Sequence, residues 1–130
     1  MKTIDQILAT IAWEKVSSFE DKETLAHVAK QASARVLTSG LLPTMAFSFA
    51  KGREEGANEN AAAHQRLGQA ITALIEARFR PGNQALPNLK ASLDHLIGQD
   101  ADMLRRATEE VSQLLGWIGR FADGMKRGEG

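Results

Sequence analysis

The sequence predicts an all-α protein, and three observations carry that reading. Twenty Ala and 14 Leu stand against four Val, seven Ile and no Tyr, a balance that favours helix over strand. Apolar residues recur at i, i+3, i+4 and i+7, and no stretch alternates apolar and polar with β-branched enrichment. Glycines, prolines and short polar clusters then cut the 130 residues into five or six helical segments. The expected architecture is a single-domain, elongated helical bundle over residues 1–130, with a short apolar helix in the middle and a long C-terminal one.

The first helix is expected from about Thr3 to Ser18, with Ile4, Ile7, Leu8 and Ile11 on one stripe and Trp13 off it, facing either a second neighbour or the outside. Asp21 is the N-cap expected for a second helix to Thr38, which carries Leu25, Val28, Ala29, Ala32 and Val36 on one face. Ser39-Gly40 breaks it. The third helix, Leu41 to Lys51, is apolar almost all round, with only Thr44, Ser48 and Lys51 forming a thin polar line. Such a helix is expected to be surrounded by others, with Gly52 in the C′ position.

A polar loop follows over about 52–60, then a fourth helix from Ala61 to Phe79 with Leu67, Ile71, Leu74 and Ile75 inward. A turn over about 80–86 leads to a fifth helix, Pro87 to Ile97, showing Leu89, Leu93, Leu96 and Ile97. Asp100 caps the sixth, whose stripe is Met103, Leu104, Ala107, Val111, Leu114, Leu115, Ile118, Ala122 and Met125. A tail over about 126–130 is expected to fray.

The chain has no cysteine, which removes disulfides, thiolate metal sites and cysteine nucleophiles. No run approaches the roughly 20 apolar residues of a membrane span, and no basic and apolar leader is seen, so a cytoplasmic protein without membrane contact is expected. Glu23 and His27 share a helical face, but no paired Glu-x-x-His, phosphate loop or nucleophile elbow accompanies them. The expectation is therefore no catalytic residue, no metal and no cofactor. A small metal hydrolase on His27 and Glu23 remains a rival.

Sixteen basic residues balance 16 acidic ones, which argues against a protein that grips nucleic acid alone. The balance hides blocks. Residues 35–53 hold Arg35, Lys51 and Arg53 with no acid; residues 54–59 hold three glutamates. Residues 60–90 return to an excess of three cations and residues 91–110 to an excess of three acids, with Glu109-Glu110 read as a solvated face. Segregated blocks suit either an ordinary mixed surface or a basic face for modest, sequence-blind phosphate contact. In the last helix, Gly116 and Gly119 lie opposite the Leu115-Ile118-Ala122 stripe, each costing up to roughly 1 kcal/mol of helix stability. With Trp117 and Phe121 they read as a partner interface or, equally, as a kink inside the chain's own bundle.

Two runs carry a resemblance. Ser39-Gly40-Leu41-Leu42-Pro43-Thr44-Met45-Ala46-Phe47-Ser48-Phe49-Ala50-Lys51-Gly52 resembles the Gly-Leu…Leu-Ala-Phe…Lys helix of the small all-helical subunit of the type III-B CRISPR effector, the Cmr complex. Leu115-Gly116-Trp117-Ile118-Gly119-Arg120-Phe121-Ala122-Asp123-Gly124 looks like the closing signature of the same family. The resemblance implies a non-catalytic subunit in antiviral defence, partnered by other Cmr-complex subunits and by copies of itself. It implies stacking along a ribonucleoprotein filament beside the CRISPR RNA and target RNA. Arg35, Lys51, Arg53, Arg120 and Lys126, in or next to the two motifs, are then the expected RNA-facing residues. Leu41, Leu42, Met45 and Phe47 are expected in the core. A free-standing helical adaptor or dimeric scaffold with no RNA role is the alternative.

Overall fold

The computed structural model describes residues 1–53, 58–80, 82 and 84–128, with side chains through Lys126. Among them six helices form: α1 (Ile4–Ser17), α2 (Lys22–Ser39), α3 (Leu41–Gly52), α4 (Glu59–Arg78), α5 (Leu89–Ile97) and α6 (Ala101–Gly128). There is no strand among the described residues. The expected loop and turn fall partly on residues 54–57, 81 and 83, outside the described residues, as do residues 129 and 130 of the expected tail.

Short polar side chains set the helix starts. Thr3 and Gln6 make a reciprocal capping box on α1. Asp21 accepts from the Thr24 N–H at 3.1 Å, Asn58 from Ala61 N at 2.6 Å, Asn88 from Ala91 N at 2.9 Å and Asp100 from Met103 N at 2.9 Å. Asn88, rather than Pro87, therefore opens α5. Gly40 separates α2 from α3 at φ +93°, a left-handed conformation that glycine adopts without a Cβ penalty.

The hub is α4, which packs on α1, α2, α3, α5 and α6. It buries Leu67, Ile71, Leu74 and Ile75 as expected, and also Ala61, Ala63, His64, Gly68, Ala70 and Thr72 on its other sides. The long α6 packs most extensively against α2, then α1. Its stripe is inward as read, from Ala107 through Val111, Leu114, Leu115 and Ile118 to Ala122. At about 1.5 Å per residue its 28 residues reach roughly 42 Å.

Three packing expectations are corrected. The buried line of α1 is Leu8, Ala12 and Val16; of the expected Ile4-Ile7-Leu8-Ile11 stripe Leu8 is buried, Ile7 and Ile11 are half-buried and Ile4 is exposed. Ile97 is likewise exposed at the end of α5. The largest change concerns α3, which is not enclosed on all sides. Its inward line is Leu41, Thr44, Met45, Ser48 and Gly52, so two members of the polar line point in. Leu42, Phe47 and Phe49 are half-buried, while Pro43, Ala46 and Ala50 are exposed. Thr44 can face inward because its hydroxyl donates to the Gly40 carbonyl at 2.8 Å, and Ser48 because it meets His64. Gly52 lies within the last turn of α3, where an added Cβ would stand 3.1 Å from Gln65 Cγ. It serves close approach to α4, and its φ is not left-handed.

Candidate functional site

Three of the expected RNA-facing cations sit on phenylalanine rings of α3, two on Phe47 and one on Phe49. The Arg35 guanidinium carbon sits 3.6 Å from the centroid of the Phe47 ring, and Lys51 Nζ lies 5.7 Å from the same ring. Arg53 reaches over Phe49 at 5.2 Å. Arg and Lys seated on aromatic faces gain cation–π attraction while their charge stays available to a further partner. No carboxylate among the described residues pairs with Arg35 or Arg53, and Arg35 Nη1 is buried without a hydrogen-bond partner. Phe47, expected in the core, is the platform for Arg35 and Lys51. Its far edge meets the buried His64 ring at 5.6 Å between centroids.

Arg120 and Lys126 belong to a separate place, the C-terminal half of α6. Arg120 is exposed. Lys126 lies 4.0 Å from Asp123, which also takes Lys30 of α2 at 2.6 Å. The five cations thus fall in two parts of the chain, Arg35, Lys51 and Arg53 along α2, α3 and the residue after it, and Arg120 and Lys126 along α6.

The aromatic residues of α6 gain a member that periodicity left undecided. Trp13 of α1 stands edge-on to Phe121 at 5.2 Å, and Trp117 lies 5.4 Å from Phe121. Trp13 is 55% exposed, so the cluster opens to the surface. A Cβ at Gly116 would meet nothing within 4 Å, whereas Gly119 is buried and a Cβ there would lie 3.7 Å from the Lys30 side chain. Gly119 therefore belongs to the α2–α6 contact and Gly116 to the open side.

Two charged residues are placed differently from the sequence reading. Glu110 is 9% exposed rather than solvated, and it accepts two hydrogen bonds from Arg78, at 2.8 and 2.9 Å. This fork holds α4 to α6, and hydrogen bonding to Glu110 raises the Arg78 pKa. Only Glu109 of the pair stays exposed, bonded to Arg105 at 3.1 Å.

The histidines are held by structural contacts or lie on the surface. His64 is 2% exposed, with Nδ1 3.2 Å from Ser48 Oγ. His95 Nε2 bonds the Phe79 carbonyl at 2.8 Å, and His27 is exposed with Glu23 on α2. Among the described residues, no group of three or more His, Asp or Glu side chains could hold a metal ion. No helix among them is long and apolar enough to cross a membrane.

Sequence alone did not find the Phe47 and Phe49 platform, because their apolar character read as core. A usable signal was present, since Arg35, Lys51 and Arg53 flank the only dense aromatic pair in the chain.

Comparison with known proteins agrees with this architecture. A crystal structure of a CRISPR-associated Cmr5 family protein from Thermus thermophilus superposes with a TM-score of 0.69. The match covers 95% of this chain and 97% of that one at 23% identity, a likeness of fold. The family model of the CRISPR-associated protein Cas_Cmr5 matches residues 4–125, spanning both motif segments and all six helices but for the last residues of α6. The chain therefore belongs to the Cmr5 family, the small all-helical subunit of the type III-B CRISPR effector.

Proposed function

We propose that this chain is a non-catalytic Cmr subunit that stacks beside other subunits and copies of itself, bracing the filament and helping to line the groove for CRISPR RNA and target RNA. It acts in the cytoplasm. The observation that supports the reading is the seating of Arg35 and Lys51 on Phe47 and of Arg53 on Phe49. Rings hold the cationic heads in place, and Arg35 and Arg53 keep their charge uncompensated by a described carboxylate. Phosphates are the natural counter-charge, and base pairing between guide and target would supply sequence recognition. Arg120 and Lys126 add charge further along α6. Gly116, Trp117 and Phe121 serve partner contact, with Trp13 extending that face, while Gly119 is taken up by the α2–α6 contact.

The test is charge reversal of Arg35, Lys51 and Arg120 together in the reconstituted complex. Target-RNA capture should fall roughly tenfold or more at physiological salt, and its salt dependence should flatten by about two to three counterions. Co-elution with the partner subunits is measured in parallel, so that failed assembly is not read as lost RNA contact. Unchanged capture by the assembled triple variant would overturn the groove assignment.

A further inference from the structure

A cleft of about 660 Å³ lies between α3, α4 and the segment leading into α5, and Phe49 and Arg53 belong to its lining. Its volume falls within the roughly 300–1,000 Å³ of small-molecule sites. Three cations from three separate segments line it: Lys15 of α1, Arg53 after α3 and Lys90 of α5. None of the three is paired with a carboxylate among the described residues. The acid in the lining, Glu76, already accepts the Leu86 N–H at 2.7 Å. The cleft is thus set for a negative ligand.

Two further features define that ligand. Thr72, 8% exposed, is among the residues lining the cleft, and its Oγ1, buried just behind the surface, has no hydrogen-bond partner. A helical threonine ordinarily bonds back to its own turn, so an orphan hydroxyl here asks for an outside partner. Phe49 contributes a ring to the same lining, beneath Arg53 at 5.2 Å, and offers a stacking surface for a planar group. Asn88 uses its Oδ1 to cap α5, which leaves its amide NH₂ to donate.

We propose that this cleft binds one nucleoside 5′-monophosphate unit, its base against Phe49 and its phosphate among Lys15, Lys90 and Arg53. A single nucleotide fits within the volume, and the mixture of one aromatic ring, polar amides and three cations around one cleft suits a base joined to a phosphate. The unit is either a free nucleotide or the 5′-phosphorylated end of an RNA. Arg53 and Phe49 are shared with the RNA-groove reading, whereas Lys15, Thr72 and Lys90 take no part in it, so variants at those three positions test this site separately.

The experiment uses the full ¹⁵N-labelled chain and follows amide resonances while each of the four nucleoside 5′-monophosphates is added to a few millimolar. Saturable shifts at Gly68, Thr72 and Asn88 are expected from at least one of them. Inorganic phosphate should bind roughly tenfold more weakly or less. Thr72→Val, which keeps the side-chain shape, and the rim pair Lys15→Ala with Lys90→Ala should each weaken binding about tenfold while the thermal unfolding midpoint does not fall. A 5′-phosphorylated dinucleotide that binds more tightly than the monophosphate supports the site as a seat for an RNA end; weaker binding supports it as a seat for the free nucleotide. The proposal is overturned if none of the four gives a saturable shift, if inorganic phosphate binds equally well, or if both sets of variants bind like the wild type.

Discussion

Helices α6 and α3 are the two motif-bearing segments, and they obey their sequences differently. Along α6 the apolar positions repeat cleanly, charged residues fill the opposite face, and every stripe residue from Ala107 to Ala122 is buried. Along α3 almost every position is apolar, and the residues that turn inward include Thr44 and Ser48 while Phe47 and Phe49 stop at the rim. Periodicity decides orientation only when the alternatives differ in cost. Turning α6 by half a turn would bury arginines and glutamates, a change of many kcal/mol. Turning α3 exchanges apolar groups for small hydroxyls that carry their own hydrogen bonds, which costs little. Packing shape then decides: small residues let α3 lie close on α4, and the large rings serve as seats for arginine and lysine.

The largest test of this contrast is truncation on the two helices. Leu114→Ala in the fully buried stripe of α6 should cost about 3–4 kcal/mol in urea unfolding, because a cavity remains. Phe47→Ala on the half-buried rim of α3 should cost only about 2 kcal/mol, well under the roughly 3–5 kcal/mol of a fully buried phenylalanine. Equal losses would break the comparison. Next in size, Ser48→Ala should cost about 1 kcal/mol by removing the Ser48 hydroxyl from His64 Nδ1. A neutral result would mean that the inward hydroxyl is incidental to the orientation of α3.

A smaller effect of opposite sign is expected at Gly116, where a Cβ meets open space. Gly116→Ala should stabilise the isolated chain by up to about 1 kcal/mol through helix propensity. If the Trp117 face docks a partner, the same change should weaken co-elution with the complex, which separates fold from assembly.

The smallest effect lies outside both helices and serves as a baseline. Asp21, capping α2, has its pKa lowered by the hydrogen bonds from Thr24 and then by its bond with Glu59, while Glu59 is raised by that bond and by the Asp21 charge. The Asp21 contribution is present above its ordinary carboxylate range and is lost as pH falls through its lowered value. The Glu59 charge opposes folding at neutral pH and is relieved as pH falls through its raised value. Glu59→Gln should therefore raise the thermal midpoint slightly at pH 7, with the gain vanishing in mild acid.

The sequence by itself determined that the chain is helical, where several of its caps and breaks lie, and which faces of α2, α4 and α6 turn inward. Asp21, Gly40 and Asp100 act locally, through hydrogen bonds or dihedral freedom within a few residues, so they are legible without a fold. The same holds for the two runs that carry the family resemblance. Tertiary structure alone decided that α4 is the hub, that α1 rotates onto Leu8-Ala12-Val16, and that Glu110 is buried by Arg78 from 32 residues away. It also gathered Arg35 onto Phe47 and joined Trp13 to Phe121. Each of these depends on which surfaces meet across long stretches of chain. Where a helix has two faces of nearly equal burial cost, as α3 does, only the shape of its neighbours can choose between them.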